Sequence, residues 1–106
     1  MKKTYSIIIP FYQGEKFYPN LLQSILRAIR KCDVVNCFFE IITIVDSVDS
    51  SLLEIDSISR CVFSDVINVV LVNLKNDKNL GVAPTRNKAI QIAKGDYLHI
   101  IDQDDE

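Results

Sequence analysis

The sequence of 106 residues is poor in the features that would indicate something other than an ordinary globular domain. It has no tryptophan, three glycines and three prolines, which excludes a collagen-like chain or a disordered chain rich in proline and glycine. Its longest apolar runs are well short of the roughly 20 residues that a membrane-spanning helix needs. The formal net charge is −2, so a strongly basic surface is not indicated and we expect no nucleic-acid partner.

The three cysteines indicate neither a disulfide framework nor a structural zinc site. Their number is odd, and no two of them have the C-x-x-C spacing of a metal or redox motif. Free, buried thiols in a reducing compartment are therefore expected at Cys32, Cys37 and Cys61. The apolar run 7–9 meets Pro10 too early to form the core of a signal peptide. Together these features predict a cytoplasmic protein.

Apolar segments alternate with helical patterns along the whole chain. The apolar and β-branched segments predict four strands, over residues 5–9, 39–45, 67–74 and 97–101. An order βαβαβαβ with such strands predicts a parallel sheet covered by helices on both faces. The predicted class is therefore α/β and Rossmann-like, in a single domain over residues 1–106.

Each of the three helical patterns has a recognisable start or end. Apolar residues recur at helical spacing over 17–29, where Pro19 suits the first turn. The segment 51–54 resembles a capping box and predicts the start of the second helix. The third helix is expected to begin near Pro84 and to end at Gly95, which would adopt the left-handed conformation.

Acidic side chains follow two of the predicted strands, at the edge where an open parallel sheet binds its ligands. Asp46 comes directly after the second strand, and Asp102 and Asp104 follow the fourth. The carboxylates of Asp102 and Asp104 alone would repel an anionic ligand such as a diphosphate, but a divalent cation bound to them would attract it. Oxygen ligands of this kind favour Mn²⁺ or Mg²⁺. The strand ends therefore predict a metal-assisted anion site.

Five short segments carry a resemblance that none of them carries alone. They are SIIIPFY at 6–12, EIITIVDS at 40–47, NLGVAPTRN at 79–87, AKGDY at 93–97 and DQDD at 102–105. In this order and spacing they resemble the family 2 glycosyltransferases, which have the GT-A fold. The resemblance covers nearly the whole chain and implies a nucleotide-sugar-binding domain of that family.

The resemblance implies roles for the residues around the nucleoside. Pro10 and Tyr12 would line the nucleoside, and the ring of Tyr12 would stack on the base. Asp46 would accept a hydrogen bond from an N–H group of the base, and Glu15 would assist there. The implied ligand is a nucleoside-diphosphate sugar of the UDP type.

The resemblance also implies roles around the diphosphate and the metal. Asp104 would be the principal ligand of Mn²⁺ or Mg²⁺, and Asp102 would lie close to the ribose or the metal. Arg86, near the start of the third helix, would offset the charge of the diphosphate. Gly81 would let the backbone pass close to the donor, because it has no side chain.

The implied reaction is inverting transfer of a sugar to an acceptor hydroxyl, on a glycan or a lipid-linked sugar. The carboxylate that acts as general base in this family would lie beyond Glu106, together with the acceptor-binding half. We therefore expect this chain to bind nucleotide without turnover. Removal of that half would expose apolar surface and favour self-association. The full-length protein would be cytoplasmic or lie at the inner face of the membrane.

The chain departs from the family pattern at two places that concern the base. Many members have a second acid after the strand-two aspartate, followed by Gly or Asn and then Ser; here Ser47, Val48 and Asp49 occupy those positions. Gln13 stands where Asn is usual. Contact with the base through this loop, and the identity of the base, are therefore left open by the sequence.

Two other classes of function remain compatible with alternating strands and helices. A receiver-like phosphoacceptor domain needs an acidic pair after the first strand and a phosphoacceptor after the third, where this chain has 10–11 and 73–74, neither of them acidic. A non-catalytic interaction module is the second alternative. Binding of a nucleotide would distinguish the glycosyltransferase from both.

Overall fold

Strands and helices alternate along the chain in the predicted order βαβαβαβ. The computed structural model describes residues 2–13, 16–47 and 49–101. The elements are β1 (Lys3–Phe11), α1 (Tyr18–Arg30), β2 (Cys37–Val45), α2 (Leu52–Val62), β3 (Val69–Lys75), α3 (Val82–Ile92) and β4 (Tyr97–Ile100).

The four strands form one parallel sheet in the order β3-β2-β1-β4. β1 and β2 are central, and they end together because Phe11 pairs with Val45. β3 ends at the same edge, where Val45 pairs with Lys75. The residues that follow these three strands are therefore brought to one edge of the sheet.

The two faces of the sheet are covered by different helices, as the Rossmann-like prediction requires. Because side chains of a strand alternate between faces, Ile7 and Ile9 pack with α1 and α2, whereas Ile8 packs on the opposite side. There Ile8 meets Ile42 and the Ala89 side chain of α3. The predicted α/β class with helices on both faces is confirmed.

The starts of α1 and α2 follow local sequence signals. Pro19 lies in the first turn of α1, and the buried side chains of that helix lie on one face. Tyr18 is buried there, whereas Phe17, the first residue of the apolar helical pattern, is 47% exposed. Ser51 caps α2 by accepting a hydrogen bond from the backbone N–H of Glu54 at 3.2 Å, so the predicted capping box is confirmed at its serine.

The prediction for the end of α3 is wrong. The helix begins at Val82 and ends at Ile92, and Gly95 does not have a positive φ. Glycine is required at 95 for another reason: a Cβ there would lie 2.7 Å from the backbone nitrogen of Ser6 and 3.1 Å from the carbonyl oxygen of Thr4. Position 95 therefore requires glycine because the 93–96 segment passes close to β1, and not because a helix ends there.

The observed burial differs from the prediction at Glu40 and along β4. Glu40 interrupts the predicted apolar run of β2, and although it is an acidic residue it is buried, with only 8% of its surface exposed. Its carboxylate accepts hydrogen bonds from the Ser6 hydroxyl at 2.6 Å and from the backbone N–H of Lys94 at 2.8 Å. Conversely, all four side chains of β4 are exposed, although its apolar sequence predicts a buried strand.

The helices of this fold are short, with 13 residues in α1 and 11 in each of α2 and α3. Within residues 2–13, 16–47 and 49–101, no helix combines the length and apolar character needed to cross a membrane.

The cysteines are free, but Cys32 and Cys61 are exposed, so the expectation of buried thiols is wrong for these two.

Candidate functional site

Asp46 lies at the carboxyl edge of the sheet and accepts hydrogen bonds from the loop that follows β3. Its Oδ1 accepts from the side-chain amide of Asn76 at 2.8 Å and from the backbone N–H of Leu80 at 2.7 Å. Its Oδ2 accepts from the backbone N–H of Gly81 at 2.8 Å. The residue is 5% exposed, so this carboxylate is held inside the edge of the sheet.

The environment of Asp46 favours its ionised form. Burial alone would raise the pKa of this carboxyl, but the hydrogen bonds from Leu80, Asn76 and Gly81 and a further one from Thr85 outweigh it. The pKa therefore lies below its ordinary value. Asp46 is thus a buried carboxylate whose negative charge is stabilised by donors of its own chain.

Asn76 extends this arrangement into α3. Its side-chain amide also donates to the hydroxyl of Thr85 at 3.0 Å, and its carbonyl oxygen accepts from the Lys88 ammonium at 2.8 Å. We call this set the Asp46 network; its members are the side chains of Asp46, Asn76, Thr85 and Lys88 and the backbone amides of Leu80 and Gly81.

The end of β1 lies directly beside Asp46. The backbone N–H of Asp46 donates to the carbonyl oxygen of Phe11 at 2.7 Å, so the two strand ends remain paired up to this point. Tyr12, the next residue, is 46% exposed and presents a ring at the surface of the edge. Pro10 is buried within β1, one register position from the end. Of the predicted pair, Tyr12 is the one with accessible surface.

Gly81 and Arg86 both belong to the start of α3. Gly81 is the residue before the helix and has φ +94°, a conformation that L side chains rarely adopt. Arg86 is half-buried within the first half of the helix. Because Gly81 donates to Asp46, the structure brings these two predicted site residues together at one edge of the sheet.

Three predicted site residues lie outside the described residues. They are Glu15, which was expected to assist at the base, and the metal-site residues Asp102 and Asp104. Ile101 is the last described residue, and its N–H donates to the carbonyl oxygen of Ile8 at 2.8 Å. Within the part of the chain that the structure describes, no group of three or more His, Cys, Asp or Glu side chains is arranged to hold a metal ion.

The Asn76, Thr85 and Lys88 side chains of the Asp46 network were not predicted from the sequence. A signal for Asn76 was present, because it directly follows β3 and so reaches the same edge as Asp46 by the same topological rule. Thr85 and Lys88 gave no such signal, since a threonine and a lysine in an amphipathic helix ordinarily face a neighbour or the solvent.

An apolar groove lies away from this edge, between α1 and the pair β1 and β4. It has a volume of about 440 Å³ and an apolar lining that includes Ile25, Phe39 and Ile100. Its lining also contains the polar side chains of Ser24 and His99 and the hydroxyl-bearing ring of Tyr5. This groove lacks the convergent donors that the Asp46 edge has, so the edge remains the candidate site.

The profile of the family described as "Glycosyl transferase family 2" matches residues 6–106 of the chain. Two similar proteins match almost the whole chain. An uncharacterized glycosyltransferase of Haemophilus influenzae is 29% identical over 100 residues, which are 94% of this chain and 29% of that protein. The poly(ribitol-phosphate) beta-N-acetylglucosaminyltransferase TarS of Staphylococcus aureus is 28% identical over 102 residues, 95% of this chain and 16% of TarS.

Solved structures of S. aureus TarS share the fold. One superposes with a TM-score of 0.69 at 26% identity and covers 98% of this chain and 17% of that chain. Another, of residues 1–349 in complex with UDP-GlcNAc, superposes with a TM-score of 0.63 at 24% identity and covers 98% of this chain and 27% of that one. The present chain thus spans less than a third of the length of each of these proteins.

Proposed function

Because the chain belongs to glycosyl transferase family 2, we propose that it is the donor-binding part of an inverting glycosyltransferase that uses a nucleoside-diphosphate sugar and a divalent metal. The observation that carries this proposal is the Asp46 network. It joins the end of β2 to the backbone before α3, at the edge where open α/β sheets bind their ligands. We propose sugar transfer for a longer protein that contains this chain, and we propose donor binding for the 106 residues themselves.

The donor we propose is a UDP-sugar. Two observations support it: the exposed ring of Tyr12 at the edge offers a surface on which a base can stack, and a TarS structure with the same fold contains UDP-GlcNAc. Gly81 allows the backbone to approach the diphosphate without a side chain, and Arg86 offsets its charge. The acceptor we propose is a hydroxyl of a glycan or of a lipid-linked sugar.

The metal we propose is Mn²⁺ or Mg²⁺. The chemistry of the donor set supports it, because Asp102 and Asp104 are two carboxylates separated by a single residue, and hard cations prefer such oxygen ligands. Asp46 does not fit that role, since donors of its own chain occupy both of its oxygens. When bound, the metal would stabilise the negative charge of the departing nucleoside diphosphate.

A thermal-shift panel of UDP, dTDP, GDP and CDP, with and without Mn²⁺, tests this proposal. A ligand that binds only the folded state stabilises it, by about 2.7 kcal/mol at a hundred times its dissociation constant. We expect stabilisation by UDP that requires the metal and disappears in Asp104→Ala. Asp65→Ala is the matched control, because Asp65 is an exposed acid near the far end of α1, paired with Arg30. No stabilisation by any of the four would contradict the proposal.

The proposed self-association concerns β4. In the described residues this strand pairs with β1 alone, and its four side chains are exposed. Apolar side chains at a strand edge favour pairing with another chain. We expect sedimentation to show an equilibrium that shifts toward monomer on dilution; a strict monomer at every concentration would contradict it.

A further inference from the structure

The resemblance predicts that Asp46 accepts a hydrogen bond from the base, but the structure gives its carboxylate other partners. An ionised carboxylate has about four acceptor positions. Oδ1 accepts from Asn76 and Leu80, Oδ2 accepts from Gly81, and the Thr85 side chain also hydrogen-bonds to this carboxylate. A base N–H would therefore have to displace a donor of the chain from a residue that is 5% exposed.

Displacing one of these donors would be unfavourable. Hydrogen bonds to an ionised group are stronger than those between neutral groups, and a buried backbone N–H that loses its acceptor remains desolvated. The depressed pKa of Asp46 has the same origin, because the donors stabilise the ionised form more than burial destabilises it. The network is consequently complete without a ligand.

The bonds of Asp46 fix the backbone that leads into α3. Leu80 and Gly81 directly precede the helix, and Gly81 needs a positive φ that its N–H bond to Asp46 helps to hold. Asn76 extends the constraint further along the helix, because it bonds to Thr85 and to Lys88. A single carboxylate thus determines where α3 begins relative to β2.

We propose that Asp46 is a positioning residue: it shapes the donor site by holding the Leu80–Gly81 backbone and the start of α3, and it does not itself contact the base. The part that concerns the ligand rests on the proposed function. The part that concerns the backbone does not, so the two are tested separately.

The first experiment measures amide hydrogen exchange by NMR in the ligand-free protein. Asp46→Asn keeps the size of the side chain but places an NH₂ group opposite donors that already point at it. We expect exchange at Leu80 and Gly81 to accelerate about ten- to a hundredfold, which corresponds to losing a hydrogen bond to a charged group, about 1.5–3 kcal/mol at 1.4 kcal/mol per tenfold. Ser50→Ala is the matched control.

Ser50 suits this control because it lies in the same loop and its buried hydroxyl has no hydrogen-bond partner among the residues that the structure describes. Its replacement should leave both amides as slow as in the wild type. If Asp46→Asn does not fold, Asn76→Ala takes its place, and we expect a smaller acceleration at the same two amides. Unchanged exchange at Leu80 and Gly81 in the folded variant would overturn the proposal.

The second experiment measures the affinities of UDP, CDP, GDP and dTDP for the same variants. A positioning residue predicts that Asp46→Asn and Asn76→Ala weaken every nucleotide by a similar factor and keep the wild-type order of preference. It also predicts that the double variant is no weaker than Asp46→Asn alone, because both changes act on one structure. A change in the order of preference in Asp46→Asn alone would overturn the proposal in favour of a base contact.

The two experiments separate the proposal from the proposed function. If the wild type binds none of the four nucleotides, the proposed function fails, and hydrogen exchange still decides whether Asp46 holds the backbone. If nucleotides bind and exchange at Leu80 and Gly81 is unaffected by Asp46→Asn, the positioning role fails and the proposed function stands.

Discussion

Replacing Gly95 by alanine should destabilise the fold strongly, because the new methyl group has no space. Its Cβ would lie 2.7 Å from the Ser6 backbone nitrogen and 3.1 Å from the Thr4 carbonyl oxygen, and closer still to the Ser6 hydroxyl oxygen. Two of these neighbours are backbone atoms of the central strand β1, which cannot rotate away. Overpacking of this kind costs about 1–3 kcal/mol.

A second cost comes from the polar contacts at the same place. The N–H of Gly95 donates to the Ser6 hydroxyl at 2.8 Å, and that hydroxyl donates to the buried carboxylate of Glu40. Moving the 93–96 segment outward would weaken the bond from Gly95 to Ser6 and the bond from the Lys94 N–H to Glu40, and leaving a buried polar group unsatisfied costs about 1–3 kcal/mol. The sum, about 2–6 kcal/mol, is a large part of the roughly 5–15 kcal/mol that stabilises a typical domain.

The assay is urea unfolding followed by circular dichroism, which gives the free energy of unfolding and its denaturant slope. We expect Gly95→Ala to lower the midpoint with little change in slope. Lys94→Ala is the matched control, because the Lys94 side chain is exposed and its backbone N–H, which bonds to Glu40, is retained. A loss below about 0.5 kcal/mol in Gly95→Ala, the range of ordinary surface substitutions, would show that position 95 has room for a methyl group.

Three further predictions concern pH and helix capping. Burial raises the pKa of Tyr18 to about 12 although its bond to Thr43 acts in the opposite direction, so its neutral form is favoured in the fold. The contribution of Tyr18 to the free energy of unfolding is therefore complete below pH 10 and is lost as the pH rises from 10 through 12. Over this range, unfolding measurements should show that Tyr18→Phe loses about 2–3 kcal/mol less stability than the wild type. For Asp46, burial acts against a lowered pKa, but the donors prevail. The contribution of ionised Asp46 to the free energy of unfolding is therefore present above about pH 4 and is lost as the pH falls through the lower pKa of the folded state. The stability difference between the wild type and Asp46→Asn should accordingly shrink in acid. A constant difference down to pH 2 would argue against an ionised Asp46. Ser51→Ala should cost about 1 kcal/mol in thermal unfolding because the N–H of Glu54 loses its acceptor, and no change would show that this cap is not stabilising.

The order of elements was predictable because it depends on local apolar patterns. The apolar runs of β1 and β2 indicated buried strands, and the periodicity of α1 indicated its buried face. The Ser51 cap was predictable for the same reason, since it involves residues only three apart. The exposure of β4 was not predictable, because the sequence of an apolar strand does not distinguish an edge position in the sheet from a central one.

The candidate site was predictable in place but not in detail. The rule that ligands bind at the carboxyl ends of parallel strands identified Asp46 and the loop before α3. Asn76, Leu80 and Gly81 are 30 to 35 residues away from Asp46 in sequence, so only the folded chain shows that they donate to it. The start of α3 at Val82, two residues before the predicted Pro84, has the same cause, because the positive φ of Gly81 and its bond to Asp46 define it.

Donor binding at the carboxyl edge of the sheet is tested most directly by an NMR titration of the chain with UDP in the presence of Mg²⁺. We expect metal-dependent, saturable shifts of the backbone amides of Tyr12, Leu80 and Gly81, which share the carboxyl edge of the sheet. Shifts confined to Ser24 and His99 in the groove between α1 and β4, or no shifts at all, would contradict it.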